Sequence, residues 1–463
     1  MRVISCKALL CFVIGLAVLG NASAATPGIA DRAIRSNVEG VDLIIYPMGA
    51  KDVITLVGSL PAGDVLAEQE GSNLAAATLV GMMLDKGTTK QDKFAISRQL
   101  DDVGATLGFS VGAQTTSIHG RSLKKDVRLL IRLLAEEMRF PTFPADELEK
   151  VKKQFEAGIR SQMENTDFRV RDAFSRYVYP EGHPNRQLPP QEWLTAVNSA
   201  TVDDVKAFHK KHYGPTHLRL TFVGDVEPRV IQAEVRKAFG GWSGGQGLAV
   251  PSKEQTEMSG EGAARPKKGE LVRAPSEQLI SLADKASVSV MLGQATGLRY
   301  QDPDRLALSV GTAILGSGFI GRLMSTVRDK EGLTYGIGAG LSEDNFVDGS
   351  WAISASFAPA LLEKGVASTR RELEKWWREG ITESELDVRK SNLIGGFQIG
   401  LSTTYGMAGA IMESLERGVG IEWLDQYPKA VEALTTEQVN AAIRKYLDPE
   451  KMVLVKAGTL DLQ

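Results

Sequence analysis

The sequence predicts an α+β protein of two homologous repeats, each a mostly antiparallel sheet with helices on one face, arranged as a clam-shell. Three observations carry this reading: the length, a duplicated order of landmarks, and a polar stretch that divides the chain into near-equal halves. At 463 residues the chain is longer than one compact core sustains, because single cores stop growing at about 250–300 residues. Residues 243–275 are rich in Gly, Ser, Pro, Lys and Glu and lack apolar periodicity, which reads as a solvated linker. On either side of it the same elements recur in the same order, the signature of a duplicated unit.

The landmarks align without gaps. Val-Ile-Thr-Leu-Val-Gly at 53–58 matches Val-Ser-Val-Met-Leu-Gly at 288–293, and both read as strands. Glu-Leu-Glu-Lys-Val-Lys-Lys at 147–153 matches Glu-Leu-Asp-Val-Arg-Lys-Ser at 385–391 as a helix. Residues 201–215 match 435–449; each opens with Thr three residues before Asp204 or Gln438 and ends at Pro, the pattern of a capped helix. A strand follows in each, at 218–224 and 452–458. Each half therefore reads strand, helix, paired strands, helices, final strand, which makes an α+β layer.

Residues 1–24 differ in kind. Arg2 and Lys7 precede an apolar run at 8–20, and Ala-Ser-Ala stands at 22–24. This is the layout of a secretory signal peptide, cleaved after Ala24; the run is too short to span a bilayer comfortably. The expected domains are thus 1–24 signal peptide, 25–242 first repeat, 243–275 linker and 276–463 second repeat. Cys6 and Cys11, the chain's two cysteines, both leave with the signal, so disulfides, thiolate metal ligands and a catalytic thiol are excluded from the mature chain. Export, with a bacterial periplasm as the best fit, follows. Lys+Arg 54 against Asp+Glu 57 offers no concentrated basic surface, which argues against nucleic acid and against a membrane-surface role once the signal is gone.

Specific motifs then point to a family. Gly-Ser-Asn-Leu-Ala-Ala-Ala-Thr-Leu-Val-Gly-Met-Met-Leu-Asp-Lys-Gly-Thr at 71–88 resembles the segment that carries H-x-x-E-H in the insulinase/pitrilysin zinc peptidases, the inverzincins, and its Lys-Gly-Thr ending sets the register. Tyr-Pro-Glu-Gly-His-Pro at 179–184 and Val-Gly-Asp-Val at 223–226 are similar to later landmarks of that family. The stretch 315–335, from Leu-Gly-Ser-Gly-Phe-Ile-Gly-Arg through Thr-Tyr, resembles its glycine-rich loop and Arg/Tyr element. The resemblance covers essentially the whole mature chain.

In that register the motif positions are Thr78, Gly81 and Met82. The family's chemistry needs two imidazoles one helical turn apart to hold zinc and a Glu to take a proton from the bound water. None is present, and Glu156, at the place of the third ligand, cannot hold zinc alone. Among His119, His183, His209, His212 and His217, only the last three cluster. Their spacing breaks across a helix end, and the matching repeat has Ile443, Tyr446 and Lys451 there. No metal site is expected in this chain.

The repeat tests the Arg/Tyr element without family knowledge. Residues 97–108 align on 325–336, with Gly104 opposite Gly332 and Gly108 opposite Gly336. Arg328 then falls opposite Leu100 and Tyr335 opposite Leu107, so the fold itself does not require the pair. The resemblance implies what does: its Tyr donates to the oxyanion forming on the scissile carbonyl and its Arg holds a peptide carbonyl. Gly316, Gly318 and Gly321 read either as a lip guiding peptide substrate or as a turn. The strands around 334–341 and 350–357 are expected to offer an edge to an extended peptide.

The leading expectation is therefore a non-catalytic subunit of a heterodimeric zinc metalloendopeptidase, with zinc held by an H-x-x-E-H paralogue and Arg328 and Tyr335 lent to it. A competing reading is a non-enzymatic peptide-binding or scaffold protein of the same fold. A third, an independent peptidase using the His209 cluster, requires one zinc per chain; none is expected.

Overall fold

The computed structural model describes residues 27–246, 276–342 and 344–460. The expected signal peptide and all of the linker beyond residue 246 lie outside the described residues. Among those described, no helix is long and apolar enough to cross a membrane.

Two sheets form. The first contains β1 (Ile34–Val38), β2 (Val41–Pro47), β3 (Val53–Leu60), β4 (Thr106–Val111), β5 (Thr116–Leu123) and β6 (Arg219–Gly224), in the order β1-β2-β6-β3-β5-β4. The second contains β7 (Glu277–Ser281), β8 (Val288–Ala295), β9 (Thr334–Ser342), β10 (Ser350–Phe357) and β11 (Val453–Gly458), in the order β7-β11-β8-β10-β9. Apart from the added strand β1, the two orders are the same. In each sheet one pair is parallel, β2 with β6 and β7 with β11, and the remaining pairs are antiparallel. The α+β repeat is thus present at the level of strand order.

Local chemistry is duplicated too. The helices Val202–His212 and Thr436–Tyr446 both open with a capping box, Thr201 with Asp204 and Thr435 with Gln438. Gly104 and Gly332 both take φ of +64°, a left-handed turn open to glycine at no cost, and each leads its chain into an edge strand.

Strand alternation places Val41, Leu43 and Ile45 in one core and Ile44 and Tyr46 in another, so the first sheet is buried on both faces. The first repeat's own helices, Ala76–Met83, Val127–Arg139 and Val202–His212 among them, cover one face. The other face is covered by Thr404–Glu416 from the second half, through Met407, Ala408, Ile411 and Leu415. The exchange is reciprocal. Helix Thr166–Val178 of the first half lays Val170, Ala173 and Phe174 on Val453, Val455 and Ala457 of the second sheet. Each exchanged helix is also pinned at its first turn by a threonine hydroxyl, Thr404 to Thr55 and Thr166 to Ser289, both at 2.8 Å. The expected layer of helices on one face is there, and a helix from the opposite half completes the other.

Candidate peptidase-like site

Helix Ala76–Met83 carries the three motif positions, and each is spent on packing. The Thr78 hydroxyl donates to Asp64 Oδ1 at 2.8 Å and its backbone N–H reaches the same oxygen at 3.2 Å. Burial pushes the Asp64 carboxyl up to about 7, against the lowering effect of these bonds. Gly81 is fully buried, and a Cβ there would lie 2.4 Å from Val111 Cγ2 on β4. Met82 packs against the apolar core. Glu156, on helix Ala145–Met163, accepts from Arg160 Nη2 at 2.7 Å. On the β4 side Val111 leaves no room for a larger side chain at position 81.

Two predictions arise here. A Gly→Ala change inside a helix normally gains about 0.5–1 kcal/mol. Gly81→Ala is expected instead to lose about 1–3 kcal/mol, because the new methyl collides with a stiff β-branched neighbour. Urea unfolding of Gly81→Ala against Gly81→Ala/Val111→Ala checks this; the double variant recovers the loss. The second concerns Asp64. Its folded-state pKa lies above the unfolded value of about 3.9, so the native state holds the proton longer, and stability falls as pH rises from about 4 to about 7. Asp64→Asn, which keeps an oxygen for Thr78, is expected to gain on the parent by about 2–4 kcal/mol between pH 4 and 8, the lower end applying because the carboxyl retains some surface contact. Parallel urea titrations at those two pH values measure it, and a constant difference refutes it.

The histidines are engaged separately. His209 Nε2 lies 2.8 Å from the Met138 carbonyl and burial lowers its pKa to about 4, so it is a neutral donor. His212 is buried, with Nε2 3.2 Å from Glu70 Oε2 and Nδ1 at the Gln246 carbonyl. His217 sits outside that helix in a left-handed turn. His119 lies exposed on β5, across from Gly108. His183 stacks on Tyr179 at 4.4 Å, accepts from the Asn185 N–H at Nδ1, and faces Asp348 of the other half at 3.4 Å. The Tyr-Pro-Glu-Gly-His-Pro landmark thus fastens the two halves together. Among the described residues, no group of three or more metal-ligating side chains converges.

The Arg/Tyr element is built differently. Arg328 lies in a π-helical turn, Met324–Lys330, a form common at functional sites. The next strand, β9, stands at the sheet edge and carries Tyr335 with 88% of its surface exposed. The Arg328 guanidinium sits 5.5 Å from the Tyr335 ring centroid and 5.1 Å from that of Phe319. Phe319 is 70% exposed, and it was not marked by sequence reasoning; an aromatic inside a glycine-rich stretch was the available signal. Leu107, opposite Tyr335 in the repeat, packs instead against the first core.

The glycines have local reasons. A Cβ on Gly316 would lie 2.3 Å from the Ala339 backbone nitrogen, so the helix Arg305–Gly316 can close on β9 only with glycine there. Gly318 takes φ of +65°, and Gly321 is buried against Gly316 and Ser317. One expectation needs correction: β10 pairs with both β8 and β9, so it has no free edge, whereas β9 does. On that edge Gly336 and Gly340 leave open space where side chains would stand. A polar cleft of about 430 Å³ opens elsewhere, between the β4–β5 and β9–β10 turns. Its arginines are committed, Arg305 to Asp344 at 2.7 Å and Arg417 over Tyr300 at 3.8 Å.

Residues 199–393 match the family model described as "Peptidase M16 inactive domain". An uncharacterized zinc protease of Streptomyces coelicolor is 26% identical over 375 residues, covering 79% of this chain and 76% of its own. The crystal structure of a peptidase M16 inactive domain from Pseudomonas fluorescens superposes with a TM-score of 0.81 at 26% identity, covering 93% of this chain and 98% of that one. Over most of its length the chain is similar to M16 peptidases, the insulinase/pitrilysin-like group, and residues 199–393 match that family's inactive domain. A non-peptidase homolog from Helicobacter pylori is 20% identical over 81% of this chain and 83% of its own. The sequence contains no H-x-x-E-H motif, and Thr78, Gly81 and Met82 stand where the resemblance places it.

Proposed function

We propose that this chain is the non-catalytic subunit of a heterodimeric zinc metalloendopeptidase, closing the peptide chamber and supplying Arg328 and Tyr335 to a zinc site held by an H-x-x-E-H paralogue. The observation that carries the reading is a site half emptied and half kept. The chain's own zinc helix is packed shut by Asp64 and Val111, while Tyr335 stands free on an open strand edge with Arg328 behind it. A phenol hydroxyl offered to solvent beside a fixed cation serves no packing purpose. Placed at a partner's zinc, it donates to the oxyanion as the carbonyl is attacked. Arg328, permanently charged and planar, suits a peptide carbonyl, and the bare β9 edge suits an extended peptide backbone. In this reading residues 1–24 export the chain, in a bacterium to the periplasm, and 25–242 and 276–463 are the two repeats joined by 243–275.

The test is co-purification with a zinc-bearing paralogue, followed by peptide hydrolysis by the complex and by its Tyr335→Phe and Arg328→Ala variants. Unchanged turnover in both variants rejects the transfer of residues. One observation favours the second reading, a peptide-binding or scaffold protein outside proteolysis: a relative covering most of both chains carries the name non-peptidase homolog. A stable homodimer that never engages a zinc-bearing paralogue would support that alternative.

A further inference from the structure

The alignment of the repeats exposes a residue that neither the zinc chemistry nor the packing explains. On helix Glu383–Gly400, Arg389 is only 3% exposed. Its counterpart in the first repeat is Val151, 1% exposed within the apolar core. The fold therefore manages with a plain hydrophobe at this position. Burying a guanidinium without a counter-ion is costly, and no carboxylate among the described residues forms an ion pair with Arg389. Its Nη2 donates to the Ser317 carbonyl at 3.1 Å, its Nη1 lies 3.3 Å from Asn392 Oδ1, and its Nε has no acceptor. Burial lowers its pKa, in keeping with a charge held against its own preference.

What Arg389 holds is one end of the glycine-rich turn. The other end is held from the same helix, one turn earlier: Arg322 makes a two-pronged bond to Glu385, 2.7 Å at each contact, and donates to the Gly380 carbonyl at 3.0 Å. Between these anchors Gly318 turns the chain through positive φ and Gly321 N–H closes back on the Gly318 carbonyl at 3.3 Å. Phe319 and Ile320 stand out into solvent at the tip, 70% and 58% exposed. An untethered turn would fold such side chains back onto apolar surface. Here two arginines keep the tip raised, with the Phe319 ring against Arg328.

We infer that Arg389 is a positioning residue: it fixes the Ser317 carbonyl, and so the turn that presses Phe319 against Arg328, keeping Arg328 and Tyr335 in register for an extended peptide. The anchoring stands on the contacts above; its use for a peptide rests on the function proposed for Arg328 and Tyr335. A guanidinium held near two rings and 3.7 Å from the Asp329 carboxylate loses less freedom on meeting a peptide carbonyl, so the effect belongs to binding.

The test uses the full chain and Arg389→Val, the residue the first repeat employs. Arg389→Val is expected to fold with an unfolding midpoint equal to or above the parent's. Amide hydrogen exchange at 318–325 should quicken by about tenfold or more, with the sheets unchanged. In the complex with a zinc-bearing paralogue, KM for peptide should rise by about 3–10-fold with kcat nearly held, and Phe319→Ala should do the same. Unchanged exchange at 318–325 overturns the inference. Should Arg389→Val fail to fold, Arg389→Lys, which keeps the charge and loses the fork, is compared in the same way; unchanged exchange there overturns it equally. A complex indifferent to Tyr335→Phe would instead reject the proposed function and leave the exchange result standing.

Discussion

Tyr335→Phe is expected to reduce peptide turnover by the zinc-bearing complex about 10²–10³-fold while leaving the unfolding midpoint of the free chain unchanged. The two halves of this expectation have separate causes. Removing one hydroxyl costs stability only where that hydroxyl is buried and bonded, and Tyr335 is almost wholly exposed. Removing it from an oxyanion site costs a donor aimed at charge that appears only in the transition state, so kcat falls and KM moves little. Arg328→Ala should show the converse balance, a larger rise in KM, because a peptide carbonyl is held in the ground state as well. A surface tyrosine with no role would leave both constants alone. Measuring kcat and KM for both variants in the purified complex distinguishes the cases.

The second large effect concerns the exchanged helices. Ile411→Ala is expected to cost the full chain about 2–5 kcal/mol, and Ile411→Asp more, since it puts an unpaired charge between β3, β6 and the helix. Ile411 is completely buried against the face that carries Ile44, Tyr46 and Val223. Because that face is covered by the second half and the second sheet by Thr166–Val178 of the first, neither half can lose its structure without uncovering the other's sheet. The full chain should therefore unfold in urea in one transition sensed equally by both halves. A fragment ending at residue 246 should have a bare apolar sheet face and aggregate or remain molten. A fragment that folds with a steep transition of its own, or a full chain with two separated transitions, would refute the interdependence.

Much of this architecture was legible beforehand for identifiable reasons. Strand β3 and its counterpart β8 occupy the expected positions because β-branched and aliphatic residues recurring at alternate positions suit a pleated strand. The capping boxes at Thr201 and Thr435 were legible because an N-cap and its partner are three residues apart and need no tertiary context. The contrast of Arg328 and Tyr335 with Leu100 and Leu107 was legible because the repeat supplies its own control. The exchange of helices was not: Thr404–Glu416 and Thr166–Val178 are apolar on the buried side whichever sheet they cover, so their amphipathic pattern is silent about the partner. The Asp64–Thr78 bond joins residues on two different helices, and no local pattern links them. That β9 is an edge and β10 is not follows only from strand order.

By itself the sequence determined the duplication, the absence of an H-x-x-E-H motif and the contrast of Arg328 and Tyr335 with Leu100 and Leu107, because each is a matter of which residue stands at which aligned position. The tertiary structure decided what became of those positions. It set Val111 over Gly81, raised Tyr335 on an open edge, brought Phe319 and Arg328 together, and tied the buried Arg389 to the Ser317 carbonyl. The physical reason is range. Identity and spacing act within a few residues, whereas steric filling, exposure and ion placement depend on groups brought together from distant parts of the chain.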